Sequence, residues 1–445
     1  MTDLRLDAIG SLERQLAATP QAVRPLEHAV LLYRLGLAYS ETPSGEAGAH
    51  LRRALACYDV AAEILDPAHS PVEHARVLLA AGAARRGLGA PAAAVDLFGR
   101  AARLLDARQG GNEAGAAHND LGLARLDGRD VLGALEAFGT ALDRFDADTE
   151  DGRRGRAATL HNRGLAYAST GTVEDLKAAL RDYTAALDTV LSEEAPLHVG
   201  LAHHSAGVAS LALAERSPSE HEAWCRSAIN AFTSALEILA RRTFPFHHAV
   251  TSYDLGLAWL AAGDARRALV RFEDALLGFD PRTQQPQWQQ AYASLSKVEA
   301  DLAAGAPGRA RADHFVRLAV EMSAAERQAL VAARLHRLLE LPEATARGRI
   351  SELALAVARC DTGDDDAPDH AAASIIGTVL SSLMEIPGGA LELALDAWMA
   401  AHATLDGDLR ERANGRLEHA IGDALGGPQR VLVRDRLTSL GYERP

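Results

Sequence analysis

The sequence is poor in the residues and segments that would indicate a disulfide-rich, nucleic-acid-binding or membrane-spanning protein. Aromatic residues make up 5% of the 445 positions, and only 3 cysteines are present. It contains no run of five basic residues and no uninterrupted apolar stretch long enough to span a bilayer. The amino terminus lacks the basic-then-apolar pattern of a signal peptide. These absences predict reduced thiols, no transmembrane helix and a cytoplasmic location.

Acidic residues outnumber basic ones. The chain has 60 Asp and Glu residues against 46 Lys and Arg residues, which gives a net charge of −14. A surface of this sign repels phosphate backbones and anionic lipids, so we predict that neither nucleic acid nor membrane is a partner. Alanine and leucine are abundant instead, which favours helices packed through small side chains over strands.

A short phrase centred on glycine recurs along the first two thirds of the chain. It reads Leu-Gly-Leu-Ala or a close variant, and its glycines lie 40 to 49 residues apart. Self-similarity at a period of this order is the signature of a repeat architecture. The six glycines are Gly36, Gly82, Gly122, Gly164, Gly207 and Gly256.

A second phrase follows each copy of the first. It consists of an alanine, an aromatic residue four positions later and an alanine three positions beyond, a spacing that places all three on one helical face. A turn such as Gly263-Asp264 separates the two phrases and is expected to end one helix and cap the next. We predict that the glycines let paired helices approach closely while the aromatic ring fills the space beside them. The six aromatic residues are Tyr58, Phe98, Phe138, Tyr183, Phe232 and Phe272.

Together the two phrases resemble the tetratricopeptide repeat family. The resemblance covers about residues 23–280 as six repeats and implies an all-α, right-handed solenoid of helix pairs. Residues 1–22 are then expected to form an N-terminal helix or cap, and 281–305 a capping helix. Residues 310–445 carry a different repeat marked by prolines 41 to 45 residues apart, and we predict a smaller helical C-terminal module of about six helices there.

In tetratricopeptide arrays the first helix of each pair lines a concave groove, and the positions three before and one after the glycine point into it. A leucine-lined groove edged by Tyr, Asn and His suits an amphipathic helix or an extended apolar peptide. The resemblance therefore predicts a protein- or peptide-binding scaffold or adaptor. Relatives that bind a peptide's terminal carboxylate use Lys, Asn and Arg at these positions, and only Asn119 matches. The first set here is Tyr33, Leu79, Asn119, His161, His204 and Tyr253, and the second is Leu37, Ala83, Leu123, Leu165, Val208 and Leu257.

Other interpretations of the same sequence stay open. The leucine stripe could be core covered by the C-terminal module, or a self-association surface. A peptide-sensing regulator of the bacterial tetratricopeptide receptor type is the alternative function, although no basic recognition helix is visible. A helical enzyme is suggested only by Asp365 and Asp369, whose acidic segment matches an aspartate-rich Mg²⁺-diphosphate motif but contains a proline. We predict no catalytic residue and no cofactor, because the sequence has no nucleotide-binding loop, nucleophile elbow or HExxH motif. We predict no metal site, because the histidines lack an i, i+4 pair.

Overall fold

The computed structural model describes residues 2–42, 47–108, 110–190, 195–280, 282–304, 311–321, 324–339, 342–360, 368–386 and 389–442. Within these ranges the regular structure is helical and no strand occurs, so the predicted all-α class is confirmed. The chain divides into two compact units, residues 1–227 and 228–445. The predicted domain boundaries near residues 22, 280 and 310 stay predictions.

The helices of the two units have the following bounds. The first unit contains α1 Thr2–Ala17, α2 Pro25–Ser40, α3 Ala47–Ile64, α4 Pro71–Gly87, α5 Pro91–Asp106, α6 Gly111–Asp127, α7 Val131–Arg144, α8 Glu150–Thr170, α9 Val173–Thr189, α10 Pro196–Arg216 and a 3₁₀-helix Pro218–Glu220. The boundary falls within α11 His221–Ile238. The second unit continues with α12 Pro245–Ala261, α13 Ala265–Gly278, α14 Gln285–Ala304, α15 Arg311–Glu321, α16 Ala324–Leu339, α17 Glu343–Arg359, α18 Pro368–Glu385, α19 Ala390–His402, α20 Gly407–Ala424 and α21 Gly427–Ser439.

Local sequence sets where these helices begin. Proline opens α2, α4, α5, α10 and α12, where its missing N–H has no helical partner to lose. Other helices, α7 and α8 among them, are capped by a side chain instead. The carboxylate of Asp130 accepts the N–H of Gly133 at 3.0 Å, and the hydroxyl of Thr149 accepts the N–H of Gly152 at 3.1 Å.

Each repeat consists of a helix A carrying the glycine and a helix B carrying the aromatic ring. A β-carbon added at Gly122 would lie 2.5 Å from the ring of Phe138, and one at Gly82 would lie 2.7 Å from that of Phe98. The predicted close crossings are therefore confirmed. The pairs are Gly36 with Tyr58, Gly82 with Phe98, Gly122 with Phe138 and Gly164 with Tyr183 in the first unit, and Gly256 with Phe272 in the second. Gly207 and Phe232 fall in different units, and each is buried.

Two further repeat features were missed in the sequence. An apolar residue seven positions after each aromatic ring is buried: Leu65, Leu105, Phe145, Val190, Leu239 and Phe279. In three repeats a histidine three residues after the opening proline donates its Nδ1 hydrogen to a main-chain carbonyl that follows the preceding helix. These contacts are His28 to Thr19, His74 to Leu65 and His248 to Leu239, at 2.6, 2.7 and 2.9 Å.

The C-terminal helices share one core with the last repeat inside the second unit. The carboxylate of Glu273 in α13 is completely buried and pairs with Arg337 in α16. The described residues beyond 310 form seven helices, where the sequence indicated about six, because not every helix there is opened by a proline. Pro342, the first of the prolines that mark the C-terminal repeat, stands at the N-cap of α17. The second, Pro387, lies outside the described residues, as do the acidic segment with Asp365 and the side chain of Asp369.

Candidate binding groove

The predicted groove positions lie together on the helices A of the first unit. We call this surface the helix-A face; its members are Tyr33, Leu37, Leu79, Ala83, Asn119, Leu123, His161, Leu165, His204 and Val208. Successive helices A contact one another: α2 with α4, α4 with α6, α6 with α8 and α8 with α10. Most members are half-buried, while Leu165 and Val208 are 38% and 45% exposed. In the second unit Tyr253 and Leu257 are half-buried against that unit's core.

Polar members of the helix-A face link neighbouring helices. The amide oxygen of Asn119 in α6 accepts a hydrogen bond from the Asn162 amide in α8 at 2.9 Å. One repeat further on, Nε2 of His161 and Oγ of Ser205 in α10 are hydrogen-bonded at the same distance, 2.9 Å. In both cases the residue three positions before the helix-A glycine of one repeat bonds to the residue two positions before the helix-A glycine of the next repeat. These polar groups, predicted to contact a partner, also align the repeats with one another.

The link also shows which apolar residues are neighbours. Leu123 lies one helical turn beyond Asn119, and Leu165 lies three residues beyond Asn162. Because Asn119 and Asn162 touch, Leu123 and Leu165 extend in the same direction from the contact. The same argument from His161 and Ser205 places Leu165 beside Val208. The helix-A face therefore carries a continuous apolar row across α6, α8 and α10.

Aromatic members of the predicted groove pack onto the helix-B rings. The centroid of Tyr33 lies 6.2 Å from that of Tyr58, and the centroid of His161 lies 5.5 Å from that of Tyr183. In the second unit the Tyr253 ring lies 5.4 Å from Phe272, and its hydroxyl is 3.2 Å from Oγ of Ser294. These residues thus contribute to repeat packing as well as to the surface.

Burial shifts the pKa values of ionisable groups on the repeat helices, including one member of the helix-A face. It lowers the pKa of His161 to about 4, and the nearby His198 acts in the same direction. The imidazole is therefore neutral at pH 7. Burial also raises the pKa of Asp120 on α6 to about 6, while Arg86 opposes that rise. In the second unit burial raises the pKa of Asp254 to about 7.

Ion pairs border the apolar row where α4 meets α6. Arg76 pairs with Glu113 near the beginning of the two helices, and Arg86 pairs with Asp127 near their ends, each at 2.5 Å. Both pairs are about half exposed, so each contributes at most about 1 kcal/mol to stability. They place fixed charges at the two edges of a surface whose middle is apolar.

A hollow of about 330 Å³ lies between α6 and α8 on the helix-A face. It was not predicted, although Asn119, which was, forms part of its wall. The sequence signal that could have indicated it is the run of glycine and alanine at one helical spacing along both helices. Its lining residues are Asn112, Glu113, Ala116, Asn119, Phe145, Asp151, Gly155 and Ala158.

Across the described ranges, no three side chains of His, Cys, Asp or Glu converge closely enough to hold a metal ion. None of the helices in the described part of the chain combines the length and apolar character needed to cross a membrane.

Comparisons with known proteins give structural similarity at low sequence identity. No protein-family model matches the chain, and no curated protein matches it. A human IFIT1 dimer with PPP-AAAA aligns at 17% identity over 84% of this chain and 72% of the other, with a TM-score of 0.38. The apo quorum sensor NprR from B. thuringiensis aligns at 13% identity over 85% and 97%, with a TM-score of 0.40. The tetratricopeptide domain of P58(IPK) aligns at 13% identity over 94% and 98%, with a TM-score of 0.24. The glycine–aromatic helix pairs make the chain similar in fold to tetratricopeptide repeat proteins.

Proposed function

We propose that the chain is a cytoplasmic scaffold or adaptor that binds an apolar segment of another protein on its helix-A face. The observation that carries the proposal is the apolar row of Leu123, Leu165 and Val208, in which Leu165 and Val208 are exposed and Leu123 is half-buried. Val30, six positions before the first glycine, adds a 47% exposed side chain to the same set of helices. Burying such a row against a partner would contribute about 25 cal/mol per Å² of apolar area. The proposed role needs no catalytic group and no cofactor.

The chemistry of the face favours a segment with one apolar side over a wholly polar partner. The central polar groups of Asn119 and His161 already hydrogen-bond within the chain, and the His161 imidazole is neutral at pH 7. Affinity would therefore come mainly from apolar contact, and orientation from the charges at the edges. An amphipathic helix or an extended peptide with alternating apolar residues meets both requirements.

Substitution of Leu165 by aspartate tests the proposal. Burying that carboxylate under a partner without a counter-charge costs several kcal/mol, so Leu165→Asp should abolish capture of the partner from a lysate of the native host. The matched control is Leu132→Asp, because Leu132 is 77% exposed on α7, a helix B. Circular dichroism checks that both variants are folded. A folded Leu165→Asp variant that captures the same proteins as the wild type would exclude the helix-A face.

The same pair of variants distinguishes self-association. If a second copy of the chain occupies the helix-A face, the wild type will sediment as a dimer or larger species, and Leu165→Asp as a monomer, while Leu132→Asp will behave like the wild type. If the apolar row is instead permanently covered core, Leu165→Asp will lower the free energy of unfolding markedly, as for other buried charges.

A further inference from the structure

The hollow between α6 and α8 is lined by one large apolar residue, Phe145, and by small ones. Phe145 occupies the place that leucine or valine fills in four of the other repeats. A β-carbon added at Gly115 would lie 3.0 Å from the Phe145 ring, and one added at Gly155 would lie closer still. The ring therefore occupies the space that a side chain at Gly155 would need and leaves little room for one at Gly115. Gly155, Ala116 and Ala158 line the hollow beside the ring.

The hollow lies on the line of the apolar row. On α6 its wall includes Ala116 and Asn119, which stand seven and four residues before Leu123. On α8 it includes Ala158, seven residues before Leu165. Positions four and seven apart share one helical face, so the hollow is a continuation of the helix-A face. Seven residues of helix correspond to about 10 Å, the distance between the hollow and the apolar row.

Carboxylates stand at the edge of the hollow. Glu113 comes from α6 and Asp151 from α8. Arg76 neutralises Glu113 in part, whereas within the described part of the chain Asp151 forms no ion pair. One of the two carboxylates is thus paired with a cation, and the other is exposed. The amide oxygens of Asn112 and Asn119 already accept hydrogen bonds within the chain, so the two carboxylates are the acceptors that remain at the rim. An aromatic ring and alanine methyl groups also line the hollow.

We propose that this hollow receives a lysine or arginine side chain of the partner segment whose apolar residues cover Leu123 and Leu165. Lysine and arginine have an apolar stem that suits the Phe145 ring and a cationic end that suits the two carboxylates. The net charge of −14 favours approach of a basic segment in the same sense. This inference rests on the proposed function, because it assigns one position of the segment bound there.

Selection from a phage-displayed library of random peptides provides the test. Against the wild type, we expect enriched peptides to combine leucine-like residues with a lysine or arginine at a fixed separation. Against the double variant Glu113→Gln/Asp151→Asn, which keeps the shape and removes both charges, the basic residue should no longer be enriched. The matched control is Asp143→Asn, since Asp143 is an exposed carboxylate on α7, and it should retain the basic preference.

A synthetic copy of one enriched peptide gives the quantitative measurement. The double variant should bind it about tenfold more weakly than the wild type or Asp143→Asn does. Replacing the basic residue of the peptide by glutamine should weaken wild-type binding by a similar factor and have no further effect on the double variant. Such a double-mutant cycle assigns the basic residue to the hollow.

The outcomes separate this inference from the proposed function. Peptides that bind the wild type, fail with Leu165→Asp and carry no preferred basic residue would overturn the hollow's assignment and leave the apolar groove intact. A basic residue whose contribution is unchanged in the double variant would also overturn it. If no peptide is enriched, or if Leu165→Asp binds the enriched peptides normally, the groove itself fails and the inference with it.

Discussion

At the scale of single residues, the helix-A glycines are required by space. The backbone of Gly122 is ordinary α-helix, yet Phe138 approaches so closely that a β-carbon would stand 2.5 Å from its ring. The ring is fully buried and sits between two alanines of its own helix. Neither partner can move without opening the helix pair, so these positions tolerate no added atom.

Replacing Gly122 by alanine should lower the free energy of unfolding by about 1–3 kcal/mol, because the new methyl group overpacks the crossing. Gly139→Ala is the matched control: nothing lies within 4 Å of a β-carbon there, on helix α7. That control should gain up to about 1 kcal/mol from helix propensity. Urea unfolding followed by circular dichroism measures both, and a stabilised Gly122→Ala variant would contradict the close crossing.

His161 should make stability depend on pH. Its pKa is lowered from 6.5 to about 4 in the folded chain, so the unfolded chain binds more protons between these values. Stability contributed by His161 is therefore present above about pH 6.5 and lost as pH falls toward 4. The contribution is about 1–2 kcal/mol after allowance for partial exposure. His161→Gln should show a smaller fall in urea midpoint between pH 7 and pH 5 than the wild type; an equal fall would contradict the assignment.

At the scale of elements, the turn between helix A and helix B requires one residue with positive φ. Seven positions after the helix-A glycine stand Gly89, Gly171 and Gly263, with φ of 74°, 71° and 83°. The third repeat has Arg129 at this position, with φ of 63°. Gly128, which precedes it, has a φ of −78° and does not supply the positive value. A non-glycine residue is therefore held in the left-handed region.

Arg129→Gly should stabilise the chain. The left-handed conformation costs an arginine about 1–2 kcal/mol, whereas glycine loses about 0.5–1 kcal/mol more chain entropy on folding, so the net gain is about 0.5–1 kcal/mol. The reverse change, Gly89→Ala, should destabilise for the same reason, since nothing lies within 4 Å of a β-carbon there. Thermal unfolding of the two variants measures the effect. Shifts of the same sign would show that the turn is not strained.

The sequence predicts helix pairs better than it predicts contacts between pairs. The spacing of Gly122 and Phe138 defines their crossing, because both lie in one local hairpin of helices. The hydrogen bond between Asn119 and Asn162 depends on how far one repeat is shifted along its neighbour, and local sequence patterns do not predict that shift. The hollow beside Phe145 depends on the same shift. By contrast, a proline followed three residues later by a histidine, as in Pro71 and His74, is a local sequence pattern. It could have predicted the histidine contact to the preceding helix.

At the scale of the whole molecule, charge decides which partners can approach. The net charge of −14 produces a repulsive potential for any polyanion. In the C-terminal part, sequence patterns indicated helices but not their partners. Glu273 and Arg337 are 64 residues apart and meet only because α13 packs on α16. Long-range pairs of this kind arise from tertiary packing and have no signature in the local sequence.

We predict that the chain does not bind nucleic acid. In a gel-shift assay at about 50 mM salt, where phosphate contacts are strongest, neither a single-stranded RNA nor a DNA duplex should be retarded at micromolar protein. A basic nucleic-acid-binding protein run in parallel shows that the assay responds. A complex that forms under these conditions and weakens steeply with added salt would overturn this prediction and favour the regulator interpretation over the scaffold.

The hydrogen bonds between neighbouring helices A have a consequence for how this chain can change. Two junctions use different pairs, Asn119 with Asn162 and His161 with Ser205, so the repeats that form them are not interchangeable. Removing the third repeat would place Leu79 where Asn119 now lies. The amide of Asn162 would then face a hydrocarbon side chain instead of its hydrogen-bond partner. Loss or rearrangement of one of these repeats would therefore remove hydrogen bonds at its junctions with the neighbouring repeats. The order of the repeats thus contributes to the stability of the chain.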